Sequence, residues 1–155
     1  MSRMDHTGIG FNYRMSDIAA AIGVAQMERI DELLTRRAEV AALYSDRLGG
    51  IDGLTLPQAG EGRARRSWFV YTVMVSDGVD RDAVIAGLNS SGIPSKAYLP
   101  SAHLFPQFEE FGYGPGDFPV AESASARSLA LPFHAGLTEG DIDRIADALE
   151  DALDA

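Results

Sequence analysis

The sequence predicts an α/β domain in which a long helix is followed by a small mixed sheet with helices on one face. The chain has 155 residues, 46% of them hydrophobic, so it can bury the core of one ordinary domain. A helical pattern of roughly thirty residues comes first. Beyond it, strand patterns alternate with helix patterns, which indicates a sheet on which helices pack.

The long helix begins at Ser16 or Asp17, either of which can cap it, and ends near Leu48, before two glycines. From Asp31 onward the pattern is amphipathic, with apolar residues at helical spacing. The stretch 18–25 is instead apolar around the whole circumference. A helix of that kind has to be enclosed on all sides, and the rest of this chain is too small to enclose it.

Strand patterns follow the long helix at four places. The second is apolar on both faces, which is typical of a central strand, and the other three are shorter. The predicted strands are Leu54–Pro57, Trp68–Val75, Ile93–Tyr98 and Leu129–Leu131.

Three helices accompany these strands. Asp80 caps the first, which stops at Gly92, and Pro119 lies in the first turn of the second. Thr138 caps the last helix, and Asp141 completes an acidic variant of the capping box. The buried stripe of the last helix is Ile142, Ile145, Ala146, Leu149 and Leu153.

Composition argues against several classes of function. The formal charge of -10 disfavours nucleic acid or an anionic membrane as a partner, because both are negatively charged. The absence of cysteine and the three scattered histidines argue against thiol chemistry and a metal site. No run is apolar enough for a signal peptide or a membrane span, so we expect a cytoplasmic protein.

Two polar residues precede the long helix. Asn12 lies in a glycine-bearing turn, where its amide can donate a hydrogen bond to an anion such as phosphate, or can stabilise the turn by bonding its own backbone. Arg14 can clamp a carboxylate or a phosphate, or form a structural ion pair with Asp17. The local chemistry leaves both pairs of alternatives open.

Four motifs occur in one order along the chain. They are Gly10-Phe11-Asn12-Tyr13-Arg14-Met15, Tyr98-Leu99-Pro100-Ser101-Ala102-His103, Phe118-Pro119-Val120-Ala121-Glu122 and Ser128-Leu129-Ala130-Leu131-Pro132-Phe133-His134. Together they resemble the DegT/DnrJ/EryC1/StrS family of pyridoxal-phosphate-dependent nucleotide-sugar aminotransferases.

The resemblance implies the carboxy-terminal portion of a fold type I pyridoxal-phosphate-dependent transferase. The complete enzyme would be a homodimer that moves an amino group from glutamate or glutamine to a nucleotide-linked keto-sugar. Residues 1–30 would pack on a large cofactor-binding domain and on the dimer partner, and residues 31–155 would form the small domain. Asn12 would reach the cofactor phosphate of the neighbouring subunit.

The resemblance also suggests substrate contacts. Tyr98 and His103 would line the sugar pocket near the cofactor, with Arg14 as a further contact. Tyr98 and His103 could each instead close a loop hydrogen bond. His134 is predicted to be structural, because it lies where the chain leaves its last strand.

Aminotransfer needs a lysine that binds the cofactor covalently and moves a proton. The only lysine here is Lys96, since the other twelve of the thirteen basic residues are arginine. Lys96 matches the small domain of the family and is interpreted as a solvated loop lysine. The catalytic lysine is therefore expected upstream, and no catalytic residue is expected in this chain. We therefore expect the chain to be inactive alone.

Other interpretations remain. A basic loop, Arg63, Arg65 and Arg66, could meet the diphosphate of a nucleotide sugar or simply be solvated. The chain could also be an orphan α/β interaction domain without catalytic function, or a ligand-binding module of the ferredoxin-like kind.

Overall fold

The computed structural model describes residues 13–60 and 66–155. These residues form nine helices and strands, with two short 3₁₀ segments, Ala102–Leu104 and Pro106–Phe111, in the loop before the fourth helix. In chain order the elements are α1 (Asp17–Met27), α2 (Ile30–Leu48), β1 (Leu54–Thr55), β2 (Tyr71–Val75), α3 (Arg81–Ser90), β3 (Lys96–Ala97), α4 (Pro119–Arg127), β4 (Ser128–Leu131) and α5 (Glu139–Leu153).

The chain divides into two compact units, one ending at Glu32 and one beginning at Leu33. In the first unit, the side chain of Ser16 caps α1 by accepting a hydrogen bond from the amide of Ala19 at 3.3 Å. None of the residues of α1 is buried. Its apolar side chains therefore lie open within this unit, and the predicted enclosure of this helix stays a prediction.

The predicted single long helix is two helices, which corrects the sequence-based prediction. The break falls between Met27 and Ile30, where the amide of Arg29 bonds to the carbonyl of Gln26 at 3.1 Å. A bond that spans three residues tightens the last turn and ends the regular helix. The guanidinium of Arg29 also bonds to the carboxylate of Glu32, 3.2 Å away, at the start of the next helix.

The sheet has the order β1-β2-β4-β3, and all three pairings are antiparallel, so the predicted mixed sheet is wrong in this respect. Ala130 of β4 pairs with Thr72 on one side and Lys96 on the other. The strands β2 and β3 consequently run in the same direction, connected through α3, but β4 occupies the place between them. Alternating strand and helix patterns indicate that β2 and β3 are connected in parallel through a helix. They cannot show that the later strand β4 separates β2 from β3.

The core lies between the sheet and residues of α2, α3 and α5. Tyr71, Val73 and Val75 of β2 are fully buried, and the intervening residues are half-buried. The last helix behaves as predicted: its capping box is present, and its stripe is buried except at Leu153, which is half-buried. The predicted cap of α3, Asp80, is confirmed, and so is the predicted proline in the first turn of α4.

Helices α3 and α5 pack closely at a glycine. A Cβ added to Gly87 would lie 2.9 Å from the Cβ of Ala152, which is closer than real side chains approach. The contact therefore selects a glycine inside a helix despite its low helix propensity.

We expect Gly87→Leu to lower the free energy of unfolding by about 1–3 kcal/mol, because the added side chain must force the two helices apart. Gly140→Leu is the matched control, since a Cβ there meets nothing within 4 Å. Urea unfolding followed by circular dichroism measures both variants. Equal stability of the two would contradict the close packing.

Candidate functional site

The structure describes three of the four predicted site residues. Asn12 lies outside the described residues, and Arg14 is an exposed residue of the first unit. Tyr98 and His103 belong to the second unit, directly after β3. The amide of Tyr98 continues the sheet by bonding to the carbonyl of Ser128 at 3.4 Å. Tyr98 and His103 thus bracket one short segment that starts at the edge of the sheet.

His103 is held inside its loop. Its Nε2 lies 3.0 Å from Oε1 of Glu122, its ring lies 4.7 Å from the ring of Phe118, and its side chain is only 9% exposed. This arrangement is the loop hydrogen bond that the sequence left open as an alternative. Contact of His103 with a sugar stays a prediction.

Glu122 holds this loop together through several hydrogen bonds. This role of Glu122 was not identified from the sequence. Its carboxylate accepts the amide hydrogens of Gly116 at 2.9 Å and of Phe118 at 3.1 Å, besides the ring of His103. The backbone hydrogen bond from Gly116 is the main cause that lowers the pKa of Glu122, with Phe118 and His103 adding to it and burial opposing it. A carboxylate only accepts, so Nε2 of His103 is the donor in this contact.

This network joins two of the sequence motifs. His103 ends the Tyr-x-Pro-x-x-His motif, and Glu122 ends the Phe-Pro-Val-Ala-Glu motif. A signal for the contact was present, because Glu122 falls in the first turn of α4, where a carboxylate is favoured and can reach amide groups before the helix. The two partners are nineteen positions apart, so no local pattern shows that they are in contact.

The strand predicted from Trp68 begins only at Tyr71, because Trp68 has a left-handed backbone with φ of 50°. In a regular strand, Trp68 would face away from the core and Phe69 would face into it, since neighbours alternate. The left-handed residue reverses this order: Trp68 is 8% exposed and Phe69 is 78% exposed. Trp68 then stacks on Tyr71, with ring centres 5.8 Å apart.

Arg37 holds this reversal in place. Its guanidinium donates to the carbonyl of Trp68 at 2.8 Å and lies 5.9 Å from the ring centre of Phe133. A second arginine, Arg66, lies over the Trp68 ring at 5.3 Å. Of the predicted basic loop, Arg63 and Arg65 lie outside the described residues.

Two recesses open beside the exposed Phe69. One has a volume of about 400 Å³ and includes Ser95 and Lys96 in its lining. The other has a volume of about 360 Å³ and includes Arg66 and Tyr98. Phe69 lines both.

Lys96 does not fit the part of a Schiff-base lysine within this chain. It is exposed on a two-residue strand at the edge of the sheet, whereas such a lysine is activated by an enclosed apolar site or a neighbouring cation. The described residues also contain no group of three or more histidine, aspartate or glutamate side chains able to hold a metal ion. Among the helices of the described ranges, none has the length and apolarity to cross a membrane.

The architecture is that of the carboxy-terminal part of a fold type I aminotransferase. The solved structure of the aminotransferase TlmJ from Streptoalloteichus hindustanus is 28% identical and matches with a TM-score of 0.83, over 97% of this chain and 40% of that one.

The model of the DegT/DnrJ/EryC1/StrS aminotransferase family matches residues 1–150, and the chain belongs to this family. GDP-perosamine synthase of Caulobacter vibrioides is 39% identical over 94% of the chain, and the spore coat polysaccharide biosynthesis protein SpsC of Bacillus subtilis is 31% identical over 93%. The chain spans 39% and 38% of the lengths of these two relatives. The family resemblance in the four motifs is thereby confirmed.

We expect Glu122→Gln to lower the melting temperature at pH 7, because an amide is a weaker acceptor for two backbone N–H groups and a histidine. The folded-state pKa of Glu122 is lowered, so its stabilisation is complete above the ordinary pKa of 4.5 and is lost as pH falls through the folded value. The gap between parent and variant should therefore close in acid. Thermal unfolding from pH 7 to pH 3 measures it, with the exposed Glu39→Gln as control; a gap that widens in acid would refute the assignment.

Proposed function

We propose that this chain is the carboxy-terminal part of a pyridoxal-phosphate-dependent aminotransferase. The complete enzyme moves an amino group from glutamate or glutamine to a nucleotide-linked keto-sugar, for polysaccharide biosynthesis in the cytoplasm, and works as a homodimer. The observation that carries the proposal is the family match over residues 1–150, together with 39% identity to a GDP-perosamine synthase.

Pyridoxal phosphate supplies the electron-withdrawing ring through which amino groups are exchanged. Of this chain's residues, Asn12 is assigned to the cofactor phosphate, and Tyr98, His103 and Arg14 to the substrate. The exposed Lys96 does not complete a cofactor site, so the lysine must come from polypeptide outside these residues. The open apolar surface of α1 also supports a contribution from further polypeptide, because Ile18 and Ile22 are 78% and 61% exposed.

This chain alone is expected to be inactive and to retain no lysine-bound cofactor after incubation with pyridoxal phosphate and dialysis. A chimera that joins the preceding residues of the Caulobacter relative to this chain is expected to transaminate a nucleotide-linked keto-sugar with glutamate. Product formation by mass spectrometry and visible absorbance of bound cofactor test both statements. A chimera that folds and binds the cofactor but never transfers nitrogen would overturn the proposed function, and visible absorbance in the chain alone would overturn its inactivity.

Asn12→Ala in that chimera should weaken cofactor binding by about ten- to a hundredfold, the effect of losing a hydrogen bond to a charged group. Asn12→Asp should weaken it further, because a carboxylate repels phosphate. Cofactor titration followed by absorbance gives the affinities. If Asn12→Ala bound the cofactor as tightly as the parent, the turn-stabilising alternative for Asn12 would be the correct one.

A further inference from the structure

The two recesses that meet at Phe69 differ in charge from the rest of the molecule. The chain carries 23 acidic residues and a net charge of -10, yet no acidic residue lines either recess within the described ranges. Each recess has one cation, Lys96 or Arg66. By contrast, the recess beside Arg47 is lined by three carboxylates, Asp46, Glu139 and Asp143. The surface around Phe69 is therefore suited to an anion.

The cation of the first recess is available for a ligand. Lys96 makes no ion pair with any residue in the described parts of the chain. The neighbouring hydroxyl of Ser95 is buried and has no hydrogen-bond partner there. Asn89 fixes the Ser95 backbone by accepting from its amide at 3.1 Å and donating to its carbonyl at 3.2 Å. An ammonium and an unused hydroxyl donor thus lie on a braced segment.

The exposure of the Phe69 ring, which lines both recesses, is energetically unfavourable. A left-handed conformation is strained at a bulky residue, and an exposed phenylalanine lacks the stabilisation that burial of its ring would give. Arg37 sustains the conformation through the carbonyl of Trp68. The reversal places a flat apolar ring in solvent, and each of the two recesses that this ring lines contains one cation. A ligand that is both planar and anionic matches all three groups.

We propose that Phe69 is the stacking platform for the base of a nucleoside diphosphate, with Lys96, Ser95 and Arg66 as the phosphate contacts. The inference rests on the proposed function and deepens it, since it assigns the place where the nucleotide of the sugar substrate binds. Stacking on an aromatic ring is tolerant of base identity, so the platform fixes the class of ligand rather than the particular base.

The chain offers one reporter in the lining of each recess. Trp68 is the only tryptophan and Lys96 the only lysine. Fluorescence excited at the red edge of the indole band reports Trp68, and reductive methylation with ¹³C-formaldehyde labels Lys96 together with the terminal amine, which serves as an internal reference. The probes are UDP, GDP, inorganic pyrophosphate and pyridoxine 5′-phosphate, which has no aldehyde to react with lysine.

UDP and GDP should shift both signals with a single dissociation constant. Phe69→Ala should weaken this binding by about tenfold or more, as expected for loss of base stacking, and Phe69→Tyr should retain it. The matched control is Phe111→Ala, because Phe111 is also largely exposed, at 61%. Lys96→Gln should weaken binding reported by Trp68 fluorescence, and Arg144→Gln, an exposed arginine on α5, should not.

Four outcomes would overturn the inference. They are nucleotide binding unchanged in Phe69→Ala, pyrophosphate binding as tightly as the nucleotides, pyridoxine phosphate binding more tightly than both nucleotides, and no response of either reporter. If Phe69→Ala reduced self-association and left nucleotide binding unaltered, Phe69 would be a protein–protein contact and not a stacking platform. In an active chimera, an unchanged KM for the nucleotide sugar in Phe69→Ala would sink this inference and leave the proposed function intact. If the chain binds nucleotides as described but the chimera is inactive, the proposed function would be overturned and this inference about nucleotide binding would stand.

Discussion

Tyr44 ties together parts of the second unit that are far apart in sequence. Its hydroxyl donates to the carbonyl of Pro132 at 2.6 Å, and its ring stacks on Tyr71 with centres 4.7 Å apart. Helix α2, the central strand and the end of β4 therefore meet at one fully buried side chain. Burial also raises the pKa of Tyr44 above its ordinary value, so the phenol stays a neutral donor. The half-buried carbonyl of Pro132 would lose its hydrogen bond if this donor were removed, which destabilises the fold.

The helix starts were predictable from the sequence because they depend on contacts within a few residues. The caps at Ser16, Asp80 and Thr138 and the proline of α4 were readable because each satisfies amide groups within a few residues. The sheet order was not readable, because the insertion of β4 between β2 and β3 depends on pairings remote in sequence. The helix break at Arg29 escaped for a different reason: Met27, Glu28 and Arg29 are all good helix formers, so their propensity gives no signal that the helix ends there.

The candidate site divides in the same way. Family motifs identified Tyr98 and His103, but their pattern carries no information on which groups hold them. The Glu122 network and the reversal at Trp68 both arise from contacts that skip many residues, from His103 to Glu122 and from Arg37 to Trp68. The sequence pattern, apolar on both faces of this strand, did not distinguish Phe69 from Trp68, and continued alternation from the buried Tyr71 would place Phe69 inside and Trp68 outside. Only the backbone angle of one residue inverted that outcome.

The position of β4 also bears on how the polypeptide is made. The central strand β2 pairs through Tyr71 with Leu131, which a ribosome adds sixty residues later. Until then, one hydrogen-bonding edge of a strand with three fully buried side chains has no native partner. Such an edge is open to pairing with other nascent chains. This edge of β2 therefore stays without its native partner while residues 76–131 are translated.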